Sequence, residues 1–319
     1  MKKEFTVIMF IDEITTLKDS ITEIITSRNF KKNKMQLIII NPLGEKTSNL
    51  LSEIISKYND ILIFEMPKKT VAEAYNLALN KIEGKYINFT LSSSKIKKST
   101  YSKIENEFKK EGFDCICLEP KYYLENIKTL REKLFRKKAI TKYDDINNIN
   151  ICFNSYFFRY DIIKNLVFDE KLKLESLLEF LVKAIYKSRK IKYYDKAKYY
   201  YTKALEDNLN DFQLQYEKKW YKYSVDNFII KSLVKYNNSN TQKILLYLIL
   251  IKYTANKDAR DKRILSTSEY FKFENSIKNS LELIEDEIIE NNTCKKFTVA
   301  SKELLFNLKY SDEKITLNW

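Results

Sequence analysis

Residues 81–95 read KIEGKYINFTLSSSK, and this stretch decides how the chain is expected to fold. Tyr86–Leu91 is an apolar run of strand length, bounded by Gly84 on one side and by three serines on the other. Gly84 is expected to end the preceding helix. That helix is expected to begin after Thr70, because Thr70 and Glu73 have the spacing of a capping box. The stretch therefore predicts a helix, a buried strand and a polar turn in direct succession.

The same alternation extends outward from this stretch. Further strands are expected at Phe5–Ile11, Met35–Asn41, Ile61–Glu65 and Asp114–Leu118, with helical patterns at 17–27, 48–57 and 99–110. Short apolar strands that alternate with helices predict an α/β fold with a mainly parallel sheet, and ligands of such sheets bind beyond the carboxyl ends of the strands. Residues 211–290 instead show long helical patterns. We expect an α/β domain over 1–202 and an all-helical C-terminal extension over 203–319.

The composition excludes several classes of site. The chain of 319 residues has no histidine, which rules out His-ligated zinc and a Ser-His-Asp triad. It has only three glycines, too few for glycine-rich phosphate loops. Cys115 and Cys117 would share one face of a strand, which suits a core position. The net charge of +14 favours polyanionic partners. No secretory signal or membrane-spanning run is visible, so we expect a cytoplasmic protein, free or peripheral at the inner membrane face.

The order of these elements resembles that of family-2 glycosyltransferases with the GT-A (Rossmann-like) fold. The matching features are Asp12-Glu13 after the first strand, "KIEGKYINF" (81–89), and "FDEKLKLESLLEFLVKAIYKSRKIKYYDKAKYYY" (168–201), which is similar to the acceptor-side helix and final strands of those enzymes. The tail around 218–236, "KKWYKYSVDNFIIKSLVKY", is similar to helical extensions on Gram-positive enzymes of teichoic acid and capsule synthesis. The resemblance covers about residues 5–202 and implies helices on both faces of the sheet and a nucleotide-sugar donor.

The resemblance also implies where the site should lie. It places the nucleotide beside Asp12, Asn41, Asn76, Ser92, Ser93 and Lys95, and the catalytic position at Glu175 and Ser176. Three acidic features of the family are missing: Asn41-Pro42 replaces its acidic pair, Leu91-Ser92-Ser93 its metal-binding Asp-x-Asp, and Ser176 its catalytic base. Neutral hydroxyls do not offset the charge of Mg²⁺ or Mn²⁺. We therefore predict no metal cofactor, and expect Mg²⁺ or Mn²⁺ only if the site is not degenerate.

Two segments combine basic and aromatic residues. Lys128–Lys142 contains seven Lys or Arg and one acid, and it falls where the family receives its acceptor. A phosphate-rich glycopolymer would contact Arg131, Arg136, Lys137 and Lys138; the alternative is a solvated amphipathic helix. Tyr186–Lys203 interleaves six tyrosines with seven basic residues. This composition suits single-stranded nucleic acid, but strand packing explains it as well, so nucleic acid is the less favoured partner.

Three hypotheses of function follow. The first is a degenerate glycosyltransferase of cell-surface glycopolymer synthesis, retained for binding or as the partner of an active transferase. The second is an active, divergent or metal-independent transferase, in which Lys95, Lys97 and Lys98 stabilise the diphosphate and Glu175 or Glu179 is the base. The third is a basic module that binds nucleic acid or an anionic membrane, whose binding would weaken steeply with salt.

Overall fold

The computed structural model describes most of the first two thirds of the chain and parts of the last third. The described residues are 3–66, 69–121, 153–172, 175–201, 232, 234–238, 241, 242, 245, 246, 249, 267–284 and 309. The chain divides into two compact units, and the described residues up to 201 lie in the first, those from 232 onward in the second. The domain boundary predicted at 202/203 stays a prediction.

The first unit alternates strands and helices as the sequence indicated. Its strands are β1 Phe5–Phe10, β2 Met35–Asn41, β3 Ile61–Glu65, β4 Tyr86–Leu91, β5 Ser94–Ile96, β6 Cys115–Lys121, β7 Tyr156–Arg159 and β8 Ile191–Tyr201. Its helices are α1 Leu17–Ile25, α2 Arg28–Lys31, α3 Glu45–Ile55, α4 Val71–Leu79, α5 Ser99–Glu111, α6 Tyr160–Ile163 and α7 Glu175–Lys187, with short 3₁₀ turns at Phe153–Ser155 and Glu170–Leu172.

All eight described strands form one mixed sheet in the order β3-β2-β1-β4-β7-β6-β8-β5. The pairs β1–β2, β1–β4, β2–β3 and β6–β8 are parallel, whereas β7 is antiparallel to β4 and β6, and β5 is antiparallel to β8. Phe5 is in register with both Met35 and Tyr86, so β1, β2 and β4 end level with one another. We call the side on which β1 to β4 end the carboxyl edge of the sheet.

An aromatic cluster fixes α4 and α7 to the sheet. The ring of Phe168 stacks on that of Phe180 with centroids 4.0 Å apart, and Phe89 of β4 lies 5.7 Å from Phe180. The ring of Tyr75 on α4 lies 5.2 Å from that of Phe89. Aromatic rings bury large areas and prefer such stacked or tilted contacts. The cluster therefore holds the helix that carries the predicted catalytic position.

The cysteines that follow α5 lie in the core, as predicted. Cys115 and Cys117 on β6 are free thiols that are 0% and 1% exposed. Burial raises the pKa of the Cys115 thiol well above its usual range, because the thiolate would lose its hydration. These thiols are therefore packing residues of the sheet.

Gly84 has a different role from the predicted one. Helix α4 ends at Leu79, and Gly84 lies outside it, so the glycine does not end the helix. Its backbone amide instead donates to Thr6 Oγ1 at 2.9 Å, and an added Cβ would lie 2.3 Å from the backbone nitrogen of Thr6. Gly84 is needed because the backbones approach closely here.

The capping box predicted at the start of α4 is confirmed. Thr70 Oγ1 accepts from the Glu73 amide at 3.3 Å, and Glu73 Oε2 accepts from the Thr70 amide at 2.8 Å. Hydrogen bonds from Thr70 and Lys69 lower the pKa of Glu73 to about 2. The carboxylate is therefore ionised, and the box is complete, throughout the neutral range.

Replacing Thr70 by alanine should cost about 1 kcal/mol of unfolding free energy, because the Glu73 amide loses its acceptor. Thr70→Ser keeps the hydroxyl and should cost much less. Urea denaturation of both variants provides the measurement. Equal losses for the two would show that the methyl group of the threonine, not the cap, is what matters.

The second unit is described mainly at one helix, α8, Thr267–Glu282. Ile277 and Leu281 of this helix are fully buried, and Lys309 donates to the carbonyl of Ile284 just beyond it. No helix among the described residues is long and apolar enough to cross a membrane.

Candidate functional site

The sheet order creates a crevice at the carboxyl edge. Strand β1 lies between β2 and β4, and the chain leaves β1 towards β2 and β3 before it returns to β4 on the other side. The connections therefore diverge at β1 and β4, and this is the position where ligands bind in open α/β sheets. The residues beside it are those that follow the two strands, namely Asp12-Glu13 and Ser92-Ser93.

The structure brings Asp12, Ser92 and Ser93 into direct contact. The Ser93 amide donates to Asp12 Oδ1 at 2.9 Å, and Ser92 Oγ lies 3.0 Å from the same oxygen. Ser93 Oγ donates to Asp12 Oδ2. Asp12 keeps partial access to solvent, whereas both serines are 0% exposed. Three of the predicted nucleotide residues thus form one hydrogen-bonded group at the switch between β1 and β4.

Burial changes the acidity of this group. Desolvation raises the pKa of the Asp12 carboxyl, and the hydrogen bonds from Ser93 and Ser92 offset only part of that effect. Desolvation raises the pKa of the buried Tyr75 phenol, and the charge of Asp12 raises it further. Ionisation of Asp12 therefore lowers the free energy of unfolding.

Asp12→Asn tests this cost. A raised folded pKa means that the wild type loses stability as pH rises from the unfolded to the folded pKa of Asp12. Asparagine retains the acceptor towards the Ser93 amide and does not ionise. As pH rises from the unfolded to the folded pKa of Asp12, the variant should therefore gain on the wild type, by about 1.4 kcal/mol per unit of pKa difference. Denaturant midpoints across this range measure it, with the exposed Asp19→Asn as control. A pH-independent difference would contradict the prediction.

Asn41 lies at the carboxyl edge, but its side chain is used within the protein. Its amide nitrogen donates to Glu65 Oε2 at 2.7 Å and to the Gly44 carbonyl at 3.1 Å, while its oxygen accepts from the Leu43 amide at 3.1 Å. The residue is 0% exposed. Its contacts hold the loop after β2 against the end of β3.

Asn76 acts in a similar way on α4. Its amide nitrogen donates to the Phe168 carbonyl at 3.0 Å, and its oxygen accepts from the Phe168 amide at 2.8 Å. The same nitrogen contacts Glu170 Oε1 at 3.0 Å. This paired contact binds α4 to the segment before α7, so the role of Asn76 in nucleotide binding stays a prediction without a contact to support it.

Lys95 is placed on β5 and is half-exposed. Its ammonium lies 3.3 Å from Glu23 Oε1 of α1, and Glu23 also accepts from the Lys98 amide at 2.9 Å. Lys97 lies over the ring of Tyr200 at 5.8 Å. The side chains of Lys95 and Lys97 therefore have partners within the protein, and their role in diphosphate binding stays a prediction.

The predicted catalytic position lies at the start of α7. This helix ends beside the amino end of β6, since the Arg189 amide donates to Asp114 Oδ2 at 2.7 Å. Its first turn, with Glu175 and Ser176, therefore points towards the carboxyl edge. Ser176 is fully buried, and the side chain of Glu175 lies outside the described residues. One turn further, Glu179 pairs with Lys183 at 2.7 Å, and its Oε2 is buried without a hydrogen-bond partner.

Only one of the two basic-aromatic segments is described by the structure. The predicted acceptor residues Arg131, Arg136, Lys137 and Lys138 lie outside the described residues. In β8, Tyr193, Tyr194 and Tyr199 are 6%, 5% and 0% exposed. Buried rings offer no face on which a base could stack. Tyr186 is 42% exposed, so burial supports strand packing for Tyr193, Tyr194 and Tyr199 only.

The residues at the turn do not fit a divalent-ion centre. Mg²⁺ and Mn²⁺ favour carboxylate oxygens, and the acid in contact with the turn is Asp12, whose two oxygens already accept from Ser92 and Ser93. Across the described parts of the chain, no group of three acidic or cysteine side chains converges as metal ligands.

One sequence relative belongs to teichoic acid synthesis. The chain is 26% identical over 305 residues to the minor teichoic acid biosynthesis protein GgaB of Bacillus subtilis (strain 168), a match that covers 90% of this chain and 33% of GgaB. The chain thus spans about a third of the length of this curated relative. No protein-family model matches the chain.

Solved structures share the fold over most of the chain. The fragment 1-349 of S. aureus TarS in complex with UDP has a TM-score of 0.63 at 15% identity, covering 96% of this chain and 86% of the fragment. Its complex with UDP-GlcNAc gives 0.64 at 14% identity, covering 96% and 87%. The mannosyltransferase PcManGT from Pyrobaculum calidifontis, in complex with GDP-Man and Mn²⁺, gives 0.57 at 12% identity, covering 98% and 89%. The predicted GT-A fold and the resemblance to teichoic acid enzymes are confirmed.

Proposed function

We propose that the chain is a glycosyltransferase-like domain of teichoic acid or capsule synthesis that binds a nucleotide-sugar at the carboxyl edge of its sheet. In this proposal the domain is degenerate, and acts in binding or as the partner of an active transferase at the inner face of the membrane. Similarity to GgaB and the fold shared with UDP-bound TarS support the first part. The second part rests on the residues at the turn.

The observation that carries the degenerate role is the contact between Asp12 and the Ser92-Ser93 turn. Where the resembling enzymes present carboxylates to a ligand, this chain has two buried hydroxyls that bond back to Asp12. The position of the family base is likewise a buried serine, Ser176. A serine hydroxyl is a poor base near neutral pH without an activating partner, and the chain has no histidine.

Calorimetric titration with UDP-GlcNAc, UDP and a CDP-linked donor tests the binding. Helix α3 offers a matched pair of exposed lysines, because it begins at the carboxyl edge near Lys46 and ends at the opposite edge near Lys57. Lys46→Glu should weaken binding of the anionic donor about threefold, and less so at high salt, whereas Lys57→Glu should not. Absence of binding to all three donors would refute the proposal.

The degenerate role has its own test. Purified chain, donor and a teichoic acid acceptor are incubated with and without Mn²⁺, and sugar transfer is followed by release of nucleoside diphosphate. The proposal expects no transfer above the rate without protein. Metal-dependent transfer by the chain alone would show that it is an active enzyme.

One observation favours the rival, an active divergent transferase. Glu179 has a buried carboxylate oxygen without a hydrogen-bond partner, one turn from the predicted catalytic position on α7. Its other oxygen pairs with Lys183 at 2.7 Å, so Glu179 would have to give up this ion pair to act as a general base. The rival predicts transfer in EDTA that is lost in Glu179→Gln or Glu175→Gln. Lys95→Ala is a weaker test, because Lys95 pairs with Glu23.

A further inference from the structure

The turn after β4 satisfies the hydroxyls of two of its three serines, Ser92 and Ser94, within the protein. A serine hydroxyl has one proton and two acceptor lone pairs. Ser92 Oγ accepts from the Asp12 amide at 3.1 Å and from the Glu13 amide at 2.9 Å, and its proton lies between the Glu13 carbonyl at 2.7 Å and Asp12 Oδ1 at 3.0 Å. No lone pair of Ser92 Oγ is left for a cation.

The hydroxyl of Ser94 is likewise occupied by partners within the protein. Its Oγ accepts from the Leu91 amide at 3.2 Å and from the Tyr199 hydroxyl, and donates to the Leu91 carbonyl at 2.9 Å. Ser94 is 2% exposed and Tyr199 is fully buried. Strand β8 thus contributes the Tyr199 hydroxyl that occupies Ser94 Oγ.

The carbonyl oxygen of Ser92 is also taken. The Ser92 carbonyl accepts from Thr16 Oγ1 at 2.8 Å and from Ser20 Oγ at 2.7 Å. Ser20 Oγ also lies 2.9 Å from the Ser94 carbonyl. Carbonyl and hydroxyl oxygens are the remaining ligands that Mg²⁺ or Ca²⁺ would use when carboxylates are missing. Here the hydroxyls of Thr16, which precedes α1, and of Ser20 in α1 occupy the Ser92 carbonyl.

We propose that Leu91–Ser94 forms a closed hydroxyl hub that replaces a divalent-ion centre, so that this chain binds a nucleoside diphosphate without a bridging metal. The second half of this inference rests on the function proposed above. The hub connects β1, β4, β5, β8 and α1, so the turn serves to fix the loop after β1 in place. The charge of the diphosphate is then met by cationic side chains and backbone amides.

The test measures metal and nucleotide separately. Mn²⁺ is titrated into the chain, alone and with UDP-GlcNAc, and free Mn²⁺ is read from its electron paramagnetic resonance signal against a blank without protein. UDP-GlcNAc affinity is measured by calorimetry in Mn²⁺ and in EDTA. Because coupling is reciprocal, a metal that bridges protein and nucleotide must raise the affinity of the chain for both ligands. We expect the UDP-GlcNAc affinities in Mn²⁺ and in EDTA to differ by less than about twofold, and the chain to retain no Mn²⁺.

The outcomes separate the two proposals. A tightening of about tenfold in Mn²⁺ that is lost in Ser93→Ala would overturn the hub and leave the nucleotide-binding function standing. No binding of UDP-GlcNAc in either condition would overturn the proposed function. In that case the Mn²⁺ signal still decides the hub: uptake of Mn²⁺ that Ser93→Ala or Asp12→Asn abolishes would refute it, and an unchanged free-ion signal would support it.

Discussion

Gly84→Ala is expected to lower the free energy of unfolding by about 3 kcal/mol or more, and to leave little folded protein if the chain is only marginally stable. The added Cβ would lie 2.3 Å from the Thr6 nitrogen and 2.4 Å from the Phe5 carbonyl carbon. Both are backbone atoms of β1, the strand between β2 and β4, so no flexible side chain can move aside. Denaturant unfolding followed by circular dichroism measures the loss.

Gly112→Ala is the matched control for this prediction. Gly112 follows α5 with a φ of +63°, and an added Cβ there would meet nothing within 4 Å. The Gly112→Ala variant should lose only about 1–2 kcal/mol of unfolding free energy, because alanine is disfavoured in the left-handed backbone region. If the two variants lose the same amount, the close approach of Gly84 to β1 is not what makes alanine costly there.

Five of the eight described strands were predictable because each of these five is a short apolar run bounded by glycine or polar residues. All five predicted strands occur. Strand β1 differs from its predicted bounds by one residue, and β6 differs by a few residues. Strand β5 was missed because Ser94–Ile96 is only three residues long and owes its conformation to pairing with β8. Gly84 was misread for a similar reason: its role depends on Thr6, which is far away in the sequence.

The sequence predicted where the residues of the candidate site lie, but not which groups they contact. The sequence placed Asp12 and the serine turn at the ends of two parallel strands, and they do meet there. It did not show that Asn41 bonds to Glu65 or that Asn76 pairs with Phe168, because those partners are set by the tertiary fold. An amide that could contact a ligand and one that fastens a loop look alike in sequence.

These amide and hydroxyl contacts share one feature. Positions at which the resemblance implies a carboxylate for ligand or metal are occupied by neutral groups that bond to neighbouring loops, as at Asn41 and Ser93. A buried neutral hydrogen bond stabilises the fold modestly, whereas a buried carboxylate without a cation destabilises it. In the degenerate function proposed above, the missing cation site and the internal contacts are two consequences of the same residues.

Ser93→Asp is expected to destabilise the fold by about 3–5 kcal/mol at neutral pH, because it places a second carboxylate against Asp12 in a buried turn. Ser93 is 0% exposed, and its hydroxyl donates to Asp12 Oδ2. Two adjacent carboxylates cannot both ionise cheaply, so the pair should retain a proton to higher pH than in the unfolded chain. A raised folded pKa means that the loss is largest at neutral pH and shrinks as pH falls through that value.

Ser93→Asn separates charge from size, since asparagine has nearly the volume of aspartate and can donate to Asp12. We expect it to lose much less stability than Ser93→Asp at about pH 7, with the two variants converging towards about pH 4. Urea unfolding at both pH values gives the comparison. If Ser93→Asn loses as much as Ser93→Asp at every pH, the turn is closed by steric packing alone, and the electrostatic account of Asp12 and its serines is wrong.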